Sequence, residues 1–396
     1  MNIKKDKFIN GVLFFFWLII SSLYYLNAIF SGVDTLKYNE DLTQKIIKYT
    51  VCLVISLSIL FIYKKFNYFF VLFFFLFLSV ASALFSGAVT IYATTMLIIA
   101  TMISFCLIIP LFSYNMVKVN RVLLWTGVIV GTISVLELTV FYNYMVSYWA
   151  ATDGIRSISS LLNPTNSGAY SAIIILIALV TNIKSLFKRA LFLIMPMITL
   201  ISSGSRTAWL SLGMTLLLTV VLRDSASIRL RKKIFTLASI GTVCGALYAI
   251  FYMGSISGIE SQYRGLNTYT ASIRVENFLT YLNLVDLNML LPDFLDKNIN
   301  LISDNFYLVM FNYAGLIGFF IVLLILLLLI FWNIQFKIFN ELMAEDIAIW
   351  RVVFIYFLIS GLSNSFINSF PVNQLFFISC GYYIYKYKLV KSSIGR

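Results

Sequence analysis

Apolar runs of membrane-spanning length recur along the whole chain, and they constrain its fold more than any other feature of the sequence. A helix needs about 20 apolar residues to cross the hydrocarbon core of a bilayer, where no water satisfies open backbone groups. The runs therefore predict an all-α polytopic membrane protein with about 12 transmembrane helices. The predicted spans are 8–30, 46–63, 68–85, 89–112, 122–141, 166–182, 190–204, 207–222, 234–254, 306–331, 351–367 and 371–385.

The composition excludes a soluble enzyme. Of the 396 residues, 61% are hydrophobic and 11% are charged, whereas soluble domains average about 25% charged residues. The basic N-terminus is followed by an apolar run that reaches Phe30 without a small-residue cleavage site, so we expect an uncleaved first span. The whole chain, 1–396, is expected to form a single integral membrane domain.

The distribution of charge predicts the orientation of the spans. Lys and Arg concentrate in alternate connecting segments, which is typical of the cytoplasmic side. This rule places both termini in the cytoplasm and explains the net charge of +13 as a topology signal, so no nucleic-acid partner is expected. The outer side then carries the two longest connections, about 142–165 and about 255–305, the second of which precedes span 10. We expect the functional site on that outer face.

Missing residue types exclude several chemistries. The chain has no histidine, and its four cysteines lie in apolar runs without paired spacing. A zinc centre, an imidazole base and a disulfide are therefore not expected. A glycine-rich phosphate-binding loop is also missing, which excludes ATP hydrolysis by this chain. Neither a metal ion nor a cofactor is predicted.

Four arginines lie on the predicted outer side: Arg156, Arg206, Arg264 and Arg274. Arginine carries a fixed charge and a forked set of donors that match carboxylates and phosphates. Arg206, at the break between two spans, either snorkels to lipid headgroups or offers a cation beside a helix start. Arg264 and Arg274 either bind headgroups near a surface helix over 271–285 or clamp a pyrophosphate. Arg156 is either a simple loop cation or part of the same site.

Side-chain oxygens complete the set of candidates. Asp304 and Asn305 precede the strongest apolar run, and either side chain is suited to cap that helix. The Asp304 carboxylate is alternatively a general base that accepts a proton from a substrate hydroxyl. Glu137 is the acid most clearly within a span. Intramembrane carboxylates are functional candidates, although near the end of a span such a group can reach water.

Several motifs, in this order along the chain, resemble the O-antigen polymerase and O-antigen ligase superfamily. They are Arg156 with Asn163-Pro164-Thr165-Asn166 and Gly168, then Ser203-Gly204-Ser205-Arg206-Thr207, then Ser272-Ile273-Arg274-Val275-Glu276, then Asp304-Asn305 with Tyr307-Leu308. The resemblance covers about 150–330 in motif and the whole chain in layout. The polymerase (Wzy) branch fits better, because the ligase branch has a histidine near the position of Asp304 and this chain has none.

The resemblance implies a metal-independent glycosyltransferase of the GT-C type in the bacterial inner membrane, acting in lipopolysaccharide biosynthesis. Such an enzyme transfers a growing glycan from undecaprenyl pyrophosphate to the next lipid-linked repeat unit. Its expected partners are that lipid-linked oligosaccharide, membrane lipid, a flippase and a chain-length regulator. In this interpretation Arg206 and Arg274 bind pyrophosphate as catalytic residues, and Asp304 is the candidate base. Substrate binding is expected from Arg156, Arg264, Asn305 and Glu276.

A polysaccharide flippase, or another transporter of lipid-linked repeat units, is the alternative from a different class, and the O-antigen ligase is a third. Transport predicts internal repeats and charged side chains deep in the spans. The sequence shows no repeat and few charges in its spans, and a flippase has no evident use for the long outer loop. The sequence therefore favours a polymerase of O-antigen or another surface polysaccharide.

Overall fold

The computed structural model describes residues 50, 53–54, 57, 61, 116–149, 156–161, 163–221, 276–281, 283, 305–309, 323–324, 327, 345–366, 369 and 371–382. The helices are α1 (Met116–Leu138), α2 (Tyr142–Trp149), α3 (Pro164–Val180), α4 (Leu186–Ser202), α5 (Arg206–Val221) and α6 (Glu345–Ser360). Residues 372–382 are also helical, and a short 3-10 turn covers Ser159–Leu161. Throughout these ranges every regular element is helical, which confirms the all-α prediction.

Six predicted spans coincide with helical segments, and their ends differ by one to seven residues. Helix α1 overlaps the predicted span 122–141, α3 overlaps 166–182, α4 overlaps 190–204, α5 overlaps 207–222 and α6 overlaps 351–367. The helical residues 372–382 lie within the predicted span 371–385. Side-chain caps explain two of the differences, because Asn163 begins α3 and Ser185 begins α4. Helix α2, inside the connection 142–165, was not predicted. Predicted spans 8–30, 68–85, 89–112 and 234–254 lie outside the described residues.

Helix α3 is the centre of the described bundle. Every side chain from Ser167 to Val180 is buried, and α1, α4, α5 and α6 all pack against this helix. The Oδ1 of Asn163 accepts hydrogen bonds from the N–H groups of Thr165 and Asn166, and Pro164 takes the first helical position, where a missing N–H costs nothing. The motif Asn163-Pro164-Thr165-Asn166 is therefore explained as the start of a fully buried helix.

Close contacts define the directions of α1, α3 and α4. Thr126 Oγ1 on α1 lies 2.5 Å from the Tyr170 hydroxyl oxygen on α3. Farther along α1, Ser134 Oγ lies 2.9 Å from Thr199 Oγ1 on α4, and the ring of Trp125 contacts that of Phe192 at 5.1 Å. Helices α1 and α4 therefore run parallel. A Cβ at Gly168, near the start of α3, would lie 2.8 Å from Ser203 Oγ at the end of α4, so α3 runs antiparallel to both.

These directions give the bundle two chemically different ends. One end holds Glu137, Ser157, the start of α3, the end of α4 and the start of α5, and we call it the site end. The opposite end, about 25 Å away along α3, holds the cations of the α3–α4 connection, of the second turn of α1 and of the first turn of α4. We call it the basic end, and its residues are Arg121, Lys184, Lys188 and Arg189.

Helix α5 buries polar side chains and exposes apolar ones. Ser211, Thr215 and Thr219 are buried, and each threonine hydroxyl donates to a carbonyl one turn earlier, Thr215 to Ser211 at 2.6 Å and Thr219 to Thr215 at 2.7 Å. The outward face carries Leu210 at 69% exposure and Leu217 at 58% exposure. This arrangement is the reverse of a helix on the surface of a soluble protein.

One described segment, Val119–Leu138 in α1, is long and apolar enough to cross a membrane. Helix α3 and the segment Ile347–Ser360 are apolar but shorter. Residues 306–309 pack with α6 and residues 372–382 through an aromatic cluster, in which Phe306 stacks on Phe366 at 4.2 Å and meets Phe376 edge-on at 5.5 Å.

We expect Gly131→Ala to destabilise the bundle by about 1–3 kcal/mol, the usual cost of overpacking a tight interface. A Cβ at Gly131 would lie 2.5 Å from the carbonyl oxygen of Met195 on α4, and a backbone atom cannot rotate away. Thermal unfolding of the purified variants measures the effect. The matched control is Gly213→Ala in α5, where a Cβ meets nothing within 4 Å. A Gly131→Ala protein as stable as this control would contradict the close α1–α4 contact.

Candidate functional site

The carboxylate of Glu137 lies at the centre of the site end. Its side chain is 0% exposed. Oε2 accepts a 2.5 Å hydrogen bond from the Ser157 hydroxyl, and the backbone N–H of Ser159 lies 3.0 Å from Oε1 and 3.1 Å from Oε2. A buried carboxylate needs such donors, because leaving water without them is costly. Glu137 does not reach water, so that part of the sequence interpretation is wrong.

A chain of hydroxyl groups extends from Glu137 to α4. Ser157 Oγ lies 2.8 Å from Ser134 Oγ, which in turn lies 2.9 Å from Thr199 Oγ1. All of these side chains are buried. The chain joins the loop before α3 to α1 and α4, so the carboxylate and its neighbours hold three parts of the sequence together.

Hydrogen bonds also fix the loop residues that follow Ser157. Ser159 has a φ of 49°, in the left-handed region that costs an L-residue about 1–2 kcal/mol. Its hydroxyl donates to the Val130 carbonyl at 2.9 Å, and the Ser167 hydroxyl donates to the Ile158 carbonyl at 2.5 Å. Strained backbone persists where surrounding contacts over-determine it, and such places are often functional.

Arg156 is bound to the turn between α4 and α5. Its Nε donates to the Ser203 carbonyl at 2.8 Å, and the next residue, Ser157, donates its backbone N–H to the Ser202 carbonyl at 3.0 Å. Gly204 has a φ of +59°, and a Cβ there would lie 3.2 Å from Arg156 Nε. The turn therefore needs glycine for its conformation and has a close neighbour in the arginine. Arg156 is half-buried and held in place, rather than a loose loop cation.

The first turn of α3 packs against the same α4–α5 turn. A Cβ at Gly168 would lie 2.6 Å from Ser205 Cβ and 2.8 Å from Ser203 Oγ. Only glycine allows α3 to approach this closely. Glycine at position 168 thus has a packing reason, and Gly168 and Arg156 both approach the same turn.

Arg206 is the first residue of α5 and is exposed. It follows the Ser203–Ser205 turn that Arg156 contacts, so both arginines lie at the site end. The bundle therefore brings together two of the four arginines proposed from the sequence, although 50 positions separate them in the chain. The geometry suits an anion, since guanidinium groups and the N–H groups of a helix start both favour negative charge.

Arg264, Arg274 and Asp304 are outside the described residues. Glu276 is exposed and is the first described residue of a helical stretch, 276–281, which agrees with the helix predicted over 271–285. In that stretch Tyr281 is fully buried, so one face packs against the protein.

Asn305 caps the helical residues 306–309, as its position before an apolar run predicted. Its Oδ1 accepts from the N–H groups of Tyr307 at 3.0 Å and Leu308 at 3.1 Å, while Nδ2 donates to the Leu362 carbonyl at 3.3 Å. The Phe306 N–H donates to the Gly361 carbonyl at 2.9 Å. The side chain thus joins the start of this helix to the residues that follow α6.

The sequence did not reveal the partners of Glu137. Ser134, Ser157, Ser159 and Thr199 are common residues without distinctive spacing, and the bundle alone brings them together. The acid within an apolar span was the one available signal.

A scan against protein-family models and searches of curated proteins and of solved structures found no match to this chain.

We expect Asn305→Ala to lower the unfolding free energy by about 1 kcal/mol, because it removes the cap of the helix that begins at Phe306. Asn305→Ser keeps an oxygen acceptor at the cap and is expected to recover most of that loss. Chemical or thermal unfolding of both variants measures the difference. Equal stability of the alanine variant and the unmodified protein would show that the cap contributes nothing.

Proposed function

We propose that this chain is a surface-polysaccharide polymerase of the O-antigen polymerase (Wzy) type, acting in a bacterial inner membrane. The observation that carries the proposal is that Arg156 and Arg206 lie at one turn of the site end, opposite the cations of the basic end. The proposal of a glycan substrate comes from the order of the sequence motifs, which resembles that of the O-antigen polymerase and ligase superfamily. The two bundle ends support the predicted orientation, in which the site end faces outward and both termini are cytoplasmic.

The packing of the described helices supports a membrane environment. Helix α1 has 23 residues and is about 34 Å long, enough for a hydrocarbon core of about 30 Å. Helix α5 buries Ser211, Thr215 and Thr219 and turns Leu210 and Leu217 outward. Small polar residues between helices and apolar residues facing outward are typical of helices packed in lipid.

The proposed reaction is transfer of a glycan from one lipid to another acceptor. The bond between the anomeric carbon of the donor glycan and a pyrophosphate oxygen breaks, and undecaprenyl pyrophosphate leaves with the electron pair. A bond forms from that carbon to a hydroxyl oxygen of the next lipid-linked repeat unit. The hydroxyl proton passes to a base, for which Asp304 is the proposed residue.

The arginines stabilise the leaving group in this proposal. Charge grows on the pyrophosphate as the bond breaks, and preorganised donors at that position lower the barrier. Arg206 and Arg274 are the proposed catalytic cations, and Arg156 and Arg264 assist them. Asn305 and Glu276 remain proposed contacts to the substrate. A flippase that delivers repeat units and a chain-length regulator are the proposed protein partners.

A transporter of lipid-linked repeat units is the second candidate, and one observation favours it. Arg351 lies within α6 and is 5% exposed, so the described bundle holds a buried cation as well as the buried Glu137. Charges inside helices mark translocation pathways in many transporters. Glu137 is engaged by Ser157 and Ser159 at the site end, which gives this carboxylate a fixed structural contact instead of a path across the bundle.

Deletion of the gene in its native host, followed by glycan electrophoresis, separates these functions. Loss of a polymerase leaves the acceptor with a single repeat unit. Loss of a flippase leaves no attached repeat, and loss of a ligase leaves polymer that never reaches its acceptor. A normal ladder of chain lengths after deletion would contradict the polymerase proposal.

In the complemented deletion strain, we expect Arg206→Ala to reduce chain growth about a hundredfold, the usual effect of removing one preorganised donor. Arg274→Ala is expected to behave alike. Arg206→Lys should retain part of the activity, because it keeps the charge and loses the forked donors. Arg121→Ala at the basic end is the control and should leave the ladder intact. Immunoblots of membranes confirm equal amounts of protein; unchanged ladders in the Arg206 and Arg274 variants would exclude the pyrophosphate clamp.

A further inference from the structure

The segment 156–159 is held by more contacts than a connecting loop needs. Arg156 bonds to the α4–α5 turn, Ser157 to α1, Ile158 to α3 and Ser159 to α1 again. Four consecutive residues are thereby fixed by surrounding helices. Glu137 supplies the largest share, because its carboxylate receives both the Ser157 hydroxyl and the Ser159 N–H.

Glu137 is unsuited to touch a substrate itself. The side chain is 0% exposed, and both carboxylate oxygens lie within hydrogen-bond distance of Ser159 N. A general base needs access to the hydroxyl whose proton it takes. A buried carboxylate is also an expensive way to hold a loop, since its desolvation costs several kcal/mol. This desolvation cost suggests that the carboxylate has a role besides fixing the loop between α2 and α3.

The position of Arg156 suggests what this role is. It immediately precedes Ser157, and its Nε is bonded to Ser203 at the turn that leads into Arg206. A bond through Nε fixes the direction of the guanidinium plane, whose other four N–H groups lie on the two terminal nitrogens. Any shift of Ser157 away from Glu137 moves the backbone from which this guanidinium extends.

We propose that Glu137 is a positioning residue for an anion site made by Arg156 and Arg206, and that it fixes the Arg156 guanidinium for a phosphate group of the lipid-linked donor. This inference rests on the proposed function for the identity of the donor. Its geometric part concerns binding of a pyrophosphate anion. Misplacing one such group by about 1 Å can cost up to about a hundredfold in rate.

Glu137→Gln is the sharpest test, because it keeps size and removes one acceptor. Ser159 N contacts both carboxylate oxygens, so the amide group of a glutamine would face either that N–H or the Ser157 hydroxyl with a donor. We expect kcat/KM for lipid-linked repeat units to fall about tenfold. The affinity for inorganic pyrophosphate, measured by calorimetry on the purified full chain, should fall by a similar factor.

Coupling to Arg156 separates positioning from general destabilisation. Adding Glu137→Gln to Arg156→Ala should cause little further loss, because the carboxylate then has no guanidinium to position. Losses that multiply in the double variant would overturn the proposal. Thr219→Val, which removes a buried hydroxyl far from the loop, is the control and should keep both activity and pyrophosphate affinity.

Further outcomes distinguish this inference from the function on which it rests. If the unmodified protein binds pyrophosphate in an Arg206- and Glu137-dependent manner but forms no polymer, the polymerase proposal fails and the anion site stands. If the unmodified protein polymerises and Glu137→Gln equals it in both measurements, the positioning role is overturned and the function stands. Should Glu137→Gln fail to fold, Ser157→Ala removes one donor to the carboxylate and undergoes the same coupling test.

Discussion

The buried carboxylate of Glu137 is the interaction on which the site end of the bundle depends. Its two buried oxygens require donors in place of water, and those donors come from the loop before α3. The same loop carries Arg156 to the turn that precedes Arg206. One hydrogen-bonding requirement at the end of α1 therefore helps to fix the loop that places Arg156 on the turn before Arg206.

The bundle that presents these cations is built with small and polar residues inside. Gly131 and Gly168 allow close helix contacts, and the buried hydroxyls of Thr215 and Thr219 bond to their own helix. Leucines face outward on α5. Close helix packing gives the rigidity that a preorganised anion site needs, because donors that need no rearrangement stabilise developing charge most effectively.

Sequence patterns predicted the helices well and the site only in part. Apolar runs located α1, α3, α4, α5 and α6, because a long apolar run is a strong signal of a helix that crosses a membrane. The position of Asn305 before such a run predicted its role as a helix cap. Helices α3 and α4 begin a few residues before the predicted spans, because Asn163 and Ser185 cap their N-termini. The hydrogen-bond partners of Glu137 were not predictable, because these serines and Thr199 come together only when α1, α4 and the loop before α3 pack.

The proposed chemistry predicts a new glycosidic bond for each undecaprenyl pyrophosphate released. The most direct measurement uses the purified full chain with lipid-linked repeat units as the only substrate, and follows product length and released lipid together. The account predicts glycans of several repeats and one released undecaprenyl pyrophosphate per linkage formed. Movement of intact repeat units across vesicle membranes without any longer glycan would contradict it and establish a transporter instead.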